Sequence, residues 1–265
     1  MLWHIRKDIW EKGCREMLEF IMKYTEEILV GLFTTFLGSV ILYWWGKRYS
    51  FHPFLYHKSK KRLKEAGIVT FFYDRKVLQK DAGTIGDYVN KAQMEVYYVG
   101  CWLSSSLNSL DLSNAILERA KCGVKFYFCV ISPDSVLIDK YSEFFNESRD
   151  ELINKLIGTL HMLFRIKSDL PIEYRKNVKI FIHDQIVTTS FWAIDPEDEK
   201  RALLQLDHKI IKNMRFNSYG MEIRVSKKSR FAEEVKKGYF SVIEGATELK
   251  ENIGSIEKVN STLKD

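Results

Sequence analysis

The sequence contains no CxxC pair, no histidines at metal-ligand spacing, no Walker phosphate loop, no GxGxxG turn, no GxSxG elbow and no HExxH helix. These absences exclude the common zinc, nucleotide-hydrolysing, dinucleotide-binding and serine-hydrolase chemistries, and no metal or cofactor is expected. The segment "DAGTIGD" at 81–87 has two glycines near a helix start, without the spacing or the preceding strand of a dinucleotide site. Cysteine is scarce and scattered: Cys14, Cys101, Cys122 and Cys129 stand far apart, the usage of reduced thiols in a cytosolic setting. Cys101 and Cys129 fall in apolar runs, where cysteine acts as a small hydrophobe. Internal repeats and low-complexity tracts are also missing. At 265 residues and net charge +6, the chain has room for one ordinary domain plus an appendage, with a modest excess of positive charge suited to phosphates or an anionic surface.

Charge itself is missing from one stretch. From Ile28 to Gly46 the chain reads "ILVGLFTTFLGSVILYWWG", uncharged throughout and closed by Tyr43, Trp44 and Trp45. As a helix it would reach about 28 Å, close to the hydrocarbon thickness of a bilayer, so a transmembrane helix is predicted at 28–46. An N-terminal amphipathic helix at 1–27 would continue into it. Residues 47–65 form a basic juxtamembrane linker containing Lys58, Lys60, Lys61, Arg62 and Lys64, predicted to lie against the membrane surface. Basic residues crowd that side, whereas 1–27 carry five basic and six acidic side chains. The positive-inside rule then predicts a single-pass cell-membrane protein, N-terminus outside and C-terminal domain cytoplasmic. Gly31/Thr35, Thr34/Gly38 and Thr35/Ser39 are small residues four apart, open to self-association of the span or to ordinary helix composition.

Beyond the linker, strand-like and helix-like runs alternate. "IVTFFY", "EVYYVGCWL", "VKFYFCVI", "RALLQLDHKII" and "GMEIRVS" read as strands. "TIGDYVNKAQ", "LSNAILERAKCG" (with Asp111 available as its cap and Gly123 as its stop), residues 136–167 and "RFAEEVKKGYFSVIEGATELK" read as helices. Between them "KIFIHDQIVTTSFWAID", residues 179–195, reads as a hairpin. The fold class is α/β, a mixed sheet flanked by helices over 66–250, with 251–265 a tail.

The order "EVYYVGCWLSSSL", "AILERAKCGVKFYFCVISPDS", the hairpin, then "MEIRVSKKSRFAEEVKKGYFSVIEGATEL" resembles a phospholipase D-like domain, over about residues 66 to 250. The active signature of that superfamily is HxK(x)4D, in which His attacks phosphorus, Lys offsets phosphoryl charge and Asp orients its partners. Laid on the hairpin, His183 takes the nucleophile position, Gln185 stands where Lys belongs and Ser190 where Asp belongs. Each 1.4 kcal/mol of lost transition-state stabilisation is about tenfold in rate, so the resemblance implies a domain that has lost its catalytic signature. From Lys209 to Arg230 seven Lys or Arg stand against Glu222 alone, a solvated face or the rim of an anion pocket. Arg75, His183, Gln185, Arg215 and Arg224 are the predicted phosphate- or lipid-binding residues.

The resemblance extends to prokaryotic antiviral membrane effectors. It implies a sensor or effector that binds an anionic phospholipid headgroup or a nucleotide signal, oligomerises and depolarises the membrane, with an Argonaute-type complex as a cytosolic partner. The enzymatic alternative is a membrane-anchored phosphodiesterase or nuclease acting as a dimer through His183. A membrane-tethered scaffold is the third reading.

Overall fold

The computed structural model describes residues 13, 15–19, 22–25, 37–41, 53–72, 79–80, 83–208, 219–225 and 229–250, without the side chains of 53–58 and 104–105. Two compact units divide the chain, Met1–Lys61 and Arg62–Asp265.

In the first unit, residues 15–19, 22–25 and 37–41 are helical. Among the described residues no helix is long and apolar enough to cross a membrane. This corrects the expected long N-terminal helix with a span at 28–46, and the single-pass placement that depended on it. A span needs about 20 consecutive apolar helical residues, and the described helical run within 28–46 is 37–41. Residues 28–36 and 42–46 lie outside the described residues, as do most of the expected amphipathic helix and the tail at 251–265.

Helix α1 (Pro53–Glu65) carries the basic residues of the linker. It stops at Gly67, whose φ of +77° is open to glycine at little cost. An eight-stranded mixed sheet follows: β1 (Ile68–Phe72), β2 (Glu95–Gly100), β3 (Lys125–Ile131), β4 (Val178–His183), β5 (Thr189–Ile194), β6 (Leu203–His208), β7 (Tyr219–Arg224) and β8 (Thr247–Glu248). Their spatial order is β1-β7-β6-β5-β2-β3-β4-β8. Strands β2, β3 and β4 run parallel, and every other pairing is antiparallel. The parallel strands need helical crossovers, supplied by α3 (Ser104–Leu107) and α4 (Leu110–Lys121) before β3, then α5 (Ile138–Phe145) and α6 (Arg149–Asp169) before β4. Before β2 comes α2 (Ile85–Asn90), and α7 (Arg230–Glu244) follows β7.

Local sequence fixes these helices. Thr84 and Asp87 close a capping box on α2, as Ser148 and Glu151 do on α6. Asp111 does not cap its own helix, whose N-cap is Ser109. Its carboxylate instead accepts from Gly86 N at 3.1 Å and from the Thr84 hydroxyl, binding α4 to the start of α2. Gly123, at φ +91°, ends α4 as expected. On α6, Leu152, Leu156, Leu160 and Leu163 recur on one buried face.

Two apolar layers sandwich the sheet. One face carries Tyr98, Phe126, Phe128 and Trp192 under α4 and α6. The other carries Val99, Cys129, Phe191 and Leu204 under α7. Burying each large side chain contributes about 1.5–3 kcal/mol, and Phe126→Ala, at a fully buried site, would cost about 3–5 kcal/mol. A third cluster, with Ile131, Tyr141, Phe145 and Leu156, closes the end where β2 and β3 finish.

Parallel direction and antiparallel register give the sheet two distinct edges. The carboxyl edge holds Gly100, Ile131 and His183, the ends of β2, β3 and β4. Thr189 lies opposite His208, His208 opposite Tyr219, and Phe72 opposite Gly220, so these join the same edge. Glu95, Lys125, Val178, Ile194, Leu203 and Arg224 mark the amino edge. There Asp195 ends β5 at φ +44°. Its buried carboxylate accepts from the backbone N–H groups of Gln93, Met94 and Glu95 at 2.9, 2.7 and 2.9 Å, tying the entry of β2 to the exit of β5.

Candidate functional site

His183 closes β4 and turns its ring inward, leaving 2% of the residue exposed. Nδ1 accepts from Gln185 N at 3.2 Å, which leaves the ring proton on Nε2, 3.4 Å from Gly100 O. Burial holds the imidazole below its usual pKa of 6.5, against the opposing pull of Gly100 O and Asp184. Both nitrogens thus face backbone. The ring braces the start of the hairpin and presents no free lone pair to a phosphorus centre.

The hairpin tip is fastened from α5. Tyr141 OH donates to Gln185 O at 3.0 Å, lies 3.3 Å from Val187 O, and accepts a short hydrogen bond from Val187 N. The Cys101 thiol donates to Val187 O at 2.9 Å. Gln185 is exposed, with its amide beside Gly245 at the end of α7. Ser190, where the active signature would carry Asp, is buried at the start of β5 opposite Asp207. Its hydroxyl lies 3.3 Å from where a Cβ on Gly100 would stand, so β2 and β5 leave little room there.

A second histidine occupies this edge. His208, at the end of β6, places Nδ1 2.7 Å from Thr189 Oγ1 on the paired strand. Its ring stacks on Tyr219, centroids 5.3 Å apart at 19°. Tyr239 on α7 lies flat against Phe191, with ring centroids 4.3 Å apart. Burial lowers the His208 pKa and Asp207 opposes that shift. Sequence reading missed His208 and Thr189. The "LDH" at 206–208 looks like an ordinary strand end, and only the β5–β6 register reveals its partner.

The five expected binding residues do not form one pocket. His183 and Gln185 lie together at the carboxyl edge. Arg224 ends β7 at the amino edge, paired with Leu203. Five residue steps along β6 separate that level from His208, about 17 Å at the usual strand rise. The Arg224 backbone N–H donates to Gly67 O at 2.8 Å. Arg75 and Arg215 lie outside the described residues, while the strand ends that precede or follow them, Phe72, His208 and Tyr219, are all at the carboxyl edge. Lys60, Lys61, Arg62 and Lys64 are exposed on α1, and Lys58 falls on the same helix.

An open depression at Asp198, Glu199, Lys200 and Arg201 lies beyond β5, towards the amino edge. Asp198 and Arg201 pair there, so acid and base largely offset each other. Among the described residues no group of three or more His, Cys, Asp or Glu side chains could hold a metal ion.

No protein-family model matches the chain, and no curated protein matches it. Solved structures do. The chain is similar to TrmBL2, an archaeal chromatin protein described as showing a novel mode of DNA binding, at 12% identity and TM-score 0.42, covering 88% of this chain and 70% of that one. It is also similar to Nuc from Salmonella typhimurium, a phospholipase D family member, at 7% identity and TM-score 0.38, covering 63% of this chain and 89% of that one.

Proposed function

We propose that the domain at 66–250 binds an anionic phosphate group at its carboxyl edge and acts as a sensor or effector, with no phosphodiester bond cleaved. One observation carries this reading. The imidazole of His208 and the hydroxyl of Thr189, 2.7 Å apart, stand at the edge where described strands lead into the segments bearing Arg75 and Lys209, Lys212 and Arg215. Neutral donors orient an oxyanion, and guanidinium or ammonium groups supply the charge that Gln185 cannot. The phosphate would belong to an anionic phospholipid headgroup or a nucleotide signal. A role in prokaryotic defence, homo-oligomerisation and an Argonaute-type partner belong to the same proposal through the phospholipase D-like resemblance. The alternative, a dimeric phosphodiesterase or nuclease using His183, draws no support from a ring whose two nitrogens both face backbone.

Binding of the full chain to phosphatidylglycerol vesicles, phosphatidylcholine vesicles and adenine nucleotides tests the proposal and separates the two sources. Arg75→Glu and Arg215→Glu should each weaken anionic binding about tenfold, the scale of one charge-assisted contact. Arg224→Glu, at the opposite edge, should leave it within about twofold, the scale of an exposed charge. Equal losses in all three variants, or no binding in any arm, would overturn it.

A further inference from the structure

Three side chains hold the turn between β4 and β5, and the imidazole is the one that gains charge on acidification. On the far side Val187 is fixed twice. Its N–H donates to Tyr141 OH on α5, and its carbonyl accepts from the Cys101 thiol at 2.9 Å. On the near side the hold is His183 itself, whose Nδ1 accepts from Gln185 N at 3.2 Å. A backbone N–H only donates, so this bond exists only while Nδ1 is bare. The carbonyls on either side are tied elsewhere: His183 O accepts from Ser132 N at 2.9 Å, and Gln185 O from Tyr141 OH at 3.0 Å. The peptide that carries the Gln185 N–H, between Asp184 and Gln185, is thus held through the imidazole. Asp184, Gln185 and Ile186 are exposed, whereas His183 and Val187 are 2% and 6% exposed. A peptide N–H released at the exposed turn finds water, which a buried one would lack.

We infer that His183 is a proton-sensitive latch on this turn: a proton taken up at Nδ1 sets two N–H groups against each other and releases the Asp184–Gln185 peptide, while Val187 stays anchored. Nε2 faces Gly100 O, an acceptor that suits its N–H in either state, so the conflict falls on one side of the ring. The titratable and charged groups on the elements around the ring are Asp184 on the turn, Cys101 beyond β2, Asp134 beyond β3, Tyr141 on α5, Tyr239 and Glu244 on α7, and Glu248 on β8. Burial lowers the imidazole pKa from the usual 6.5, and Asp184 is the charge that opposes it. Burial keeps both phenols protonated. The closed turn is therefore fully stable above about pH 6.5 and weakens as pH falls towards the lowered native value. The latch stands apart from phosphate binding, because the ring meets no ligand.

Amide hydrogen exchange of the full chain, read by 1H–15N spectroscopy, tests the latch, with each rate divided by that of an unstructured peptide at the same pH. The Gln185 amide should lose protection as pH falls from about 6.5 to 5.5, approaching the roughly tenfold per pH unit that one linked proton gives. Val187 should keep its protection over the same range. Long-range imidazole spectra at about pH 7.5 should show His183 as the Nε2–H tautomer. His183→Asn, whose side-chain oxygen can accept from Gln185 N and does not titrate, should hold Gln185 protection level. Equal loss at Gln185 and Val187 would mean opening of the whole hairpin and overturns the latch. Level Gln185 protection in the wild type, an Nδ1–H tautomer, or an unchanged pH dependence in His183→Asn overturns it as well. Because the exchange and tautomer readouts use the wild type, a variant that failed to fold would not remove the test.

Discussion

The two edges of one sheet handle negative charge in opposite ways. At the amino edge Asp195 supplies an internal carboxylate that accepts from three backbone N–H groups. At the carboxyl edge Thr189 Oγ1 lies 2.7 Å from His208 Nδ1, a side-chain pair at the rim of the sheet. Backbone donors around a carboxylate hold the fold together, whereas side-chain groups ending at a partly exposed ring suit an anion that arrives from outside. The contrast separates a stabilising feature from a candidate site even though both consist of buried polar groups.

Removing the internal anion should do the most damage. Asp195→Ala strands three amide hydrogens in a site 2% exposed and should cost about 3–5 kcal/mol, the scale of a broken buried charge network. Urea denaturation would register this as a large fall in midpoint, while phosphate affinity per folded molecule stays unchanged. An asparagine side chain tolerates the positive φ and keeps one acceptor, so Asp195→Asn should fall between the wild type and Asp195→Ala.

Tyr141→Phe attacks the carboxyl edge from beneath. It leaves Val187 N–H without the phenol oxygen and frees the hairpin tip, at about 1–3 kcal/mol. Phosphate binding should also weaken, because Thr189 follows directly from the loosened segment. A stability loss with unchanged binding would show that the site does not depend on the hairpin.

Acidification distinguishes the edges more gently. Burial sets the His183 and His208 pKa values below the usual 6.5. The unfolded chain therefore takes up these protons first, and stability present above about pH 6.5 should decline as pH falls through that value towards the lowered folded ones. Urea midpoints at pH 7.5 and 5.5 would measure the decline, which His183→Gln should reduce. If the slope in that variant equals the wild-type slope, His183 is not buried as a neutral group.

Glu222 is the smallest case. On β7 between the two edges, its carboxyl is pushed above the ordinary 4.5 by burial, with Lys91 and Arg224 only partly offsetting this, and Oε2 has no hydrogen-bond partner among the described residues. Folded above unfolded means that stability is lost as pH rises through these values. Glu222→Gln should match or slightly exceed the wild-type melting temperature at pH 7.5 and lose that advantage near pH 4.

Much of the second unit was legible because each strand is a concentrated apolar run and each helix carries its own punctuation. "EVYYVG" and "KFYFCVI" are buried on both faces, and Gly67 and Gly123 end helices at the positive φ their positions suggest. Residues whose role depends on distant partners were not legible. Asp111 looked like a local cap and serves another helix, because its nearest orphan N–H in space is Gly86. Arg224 looked like a pocket residue because it is basic and precedes the last helix, but antiparallel pairing puts the end of β7 at the amino edge, away from the end of β4 at the carboxyl edge. The uncharged stretch at 28–46 met a length rule that composition alone satisfies, and the described helices there do not meet it.

The pairing of β1 with β7 has a consequence for synthesis. Ile68 finds its partner in Ile223, 155 positions later. At about 5–20 residues per second, "IVTFF" would wait roughly 8–30 s for the strand that covers it. It contains no charge or proline to discourage association with other chains in that interval. Strands β2 to β6 can pair in the meantime, so β1 would dock after them, and the yield of folded protein should depend more on how this one segment is sheltered during translation than on the final stability of the domain.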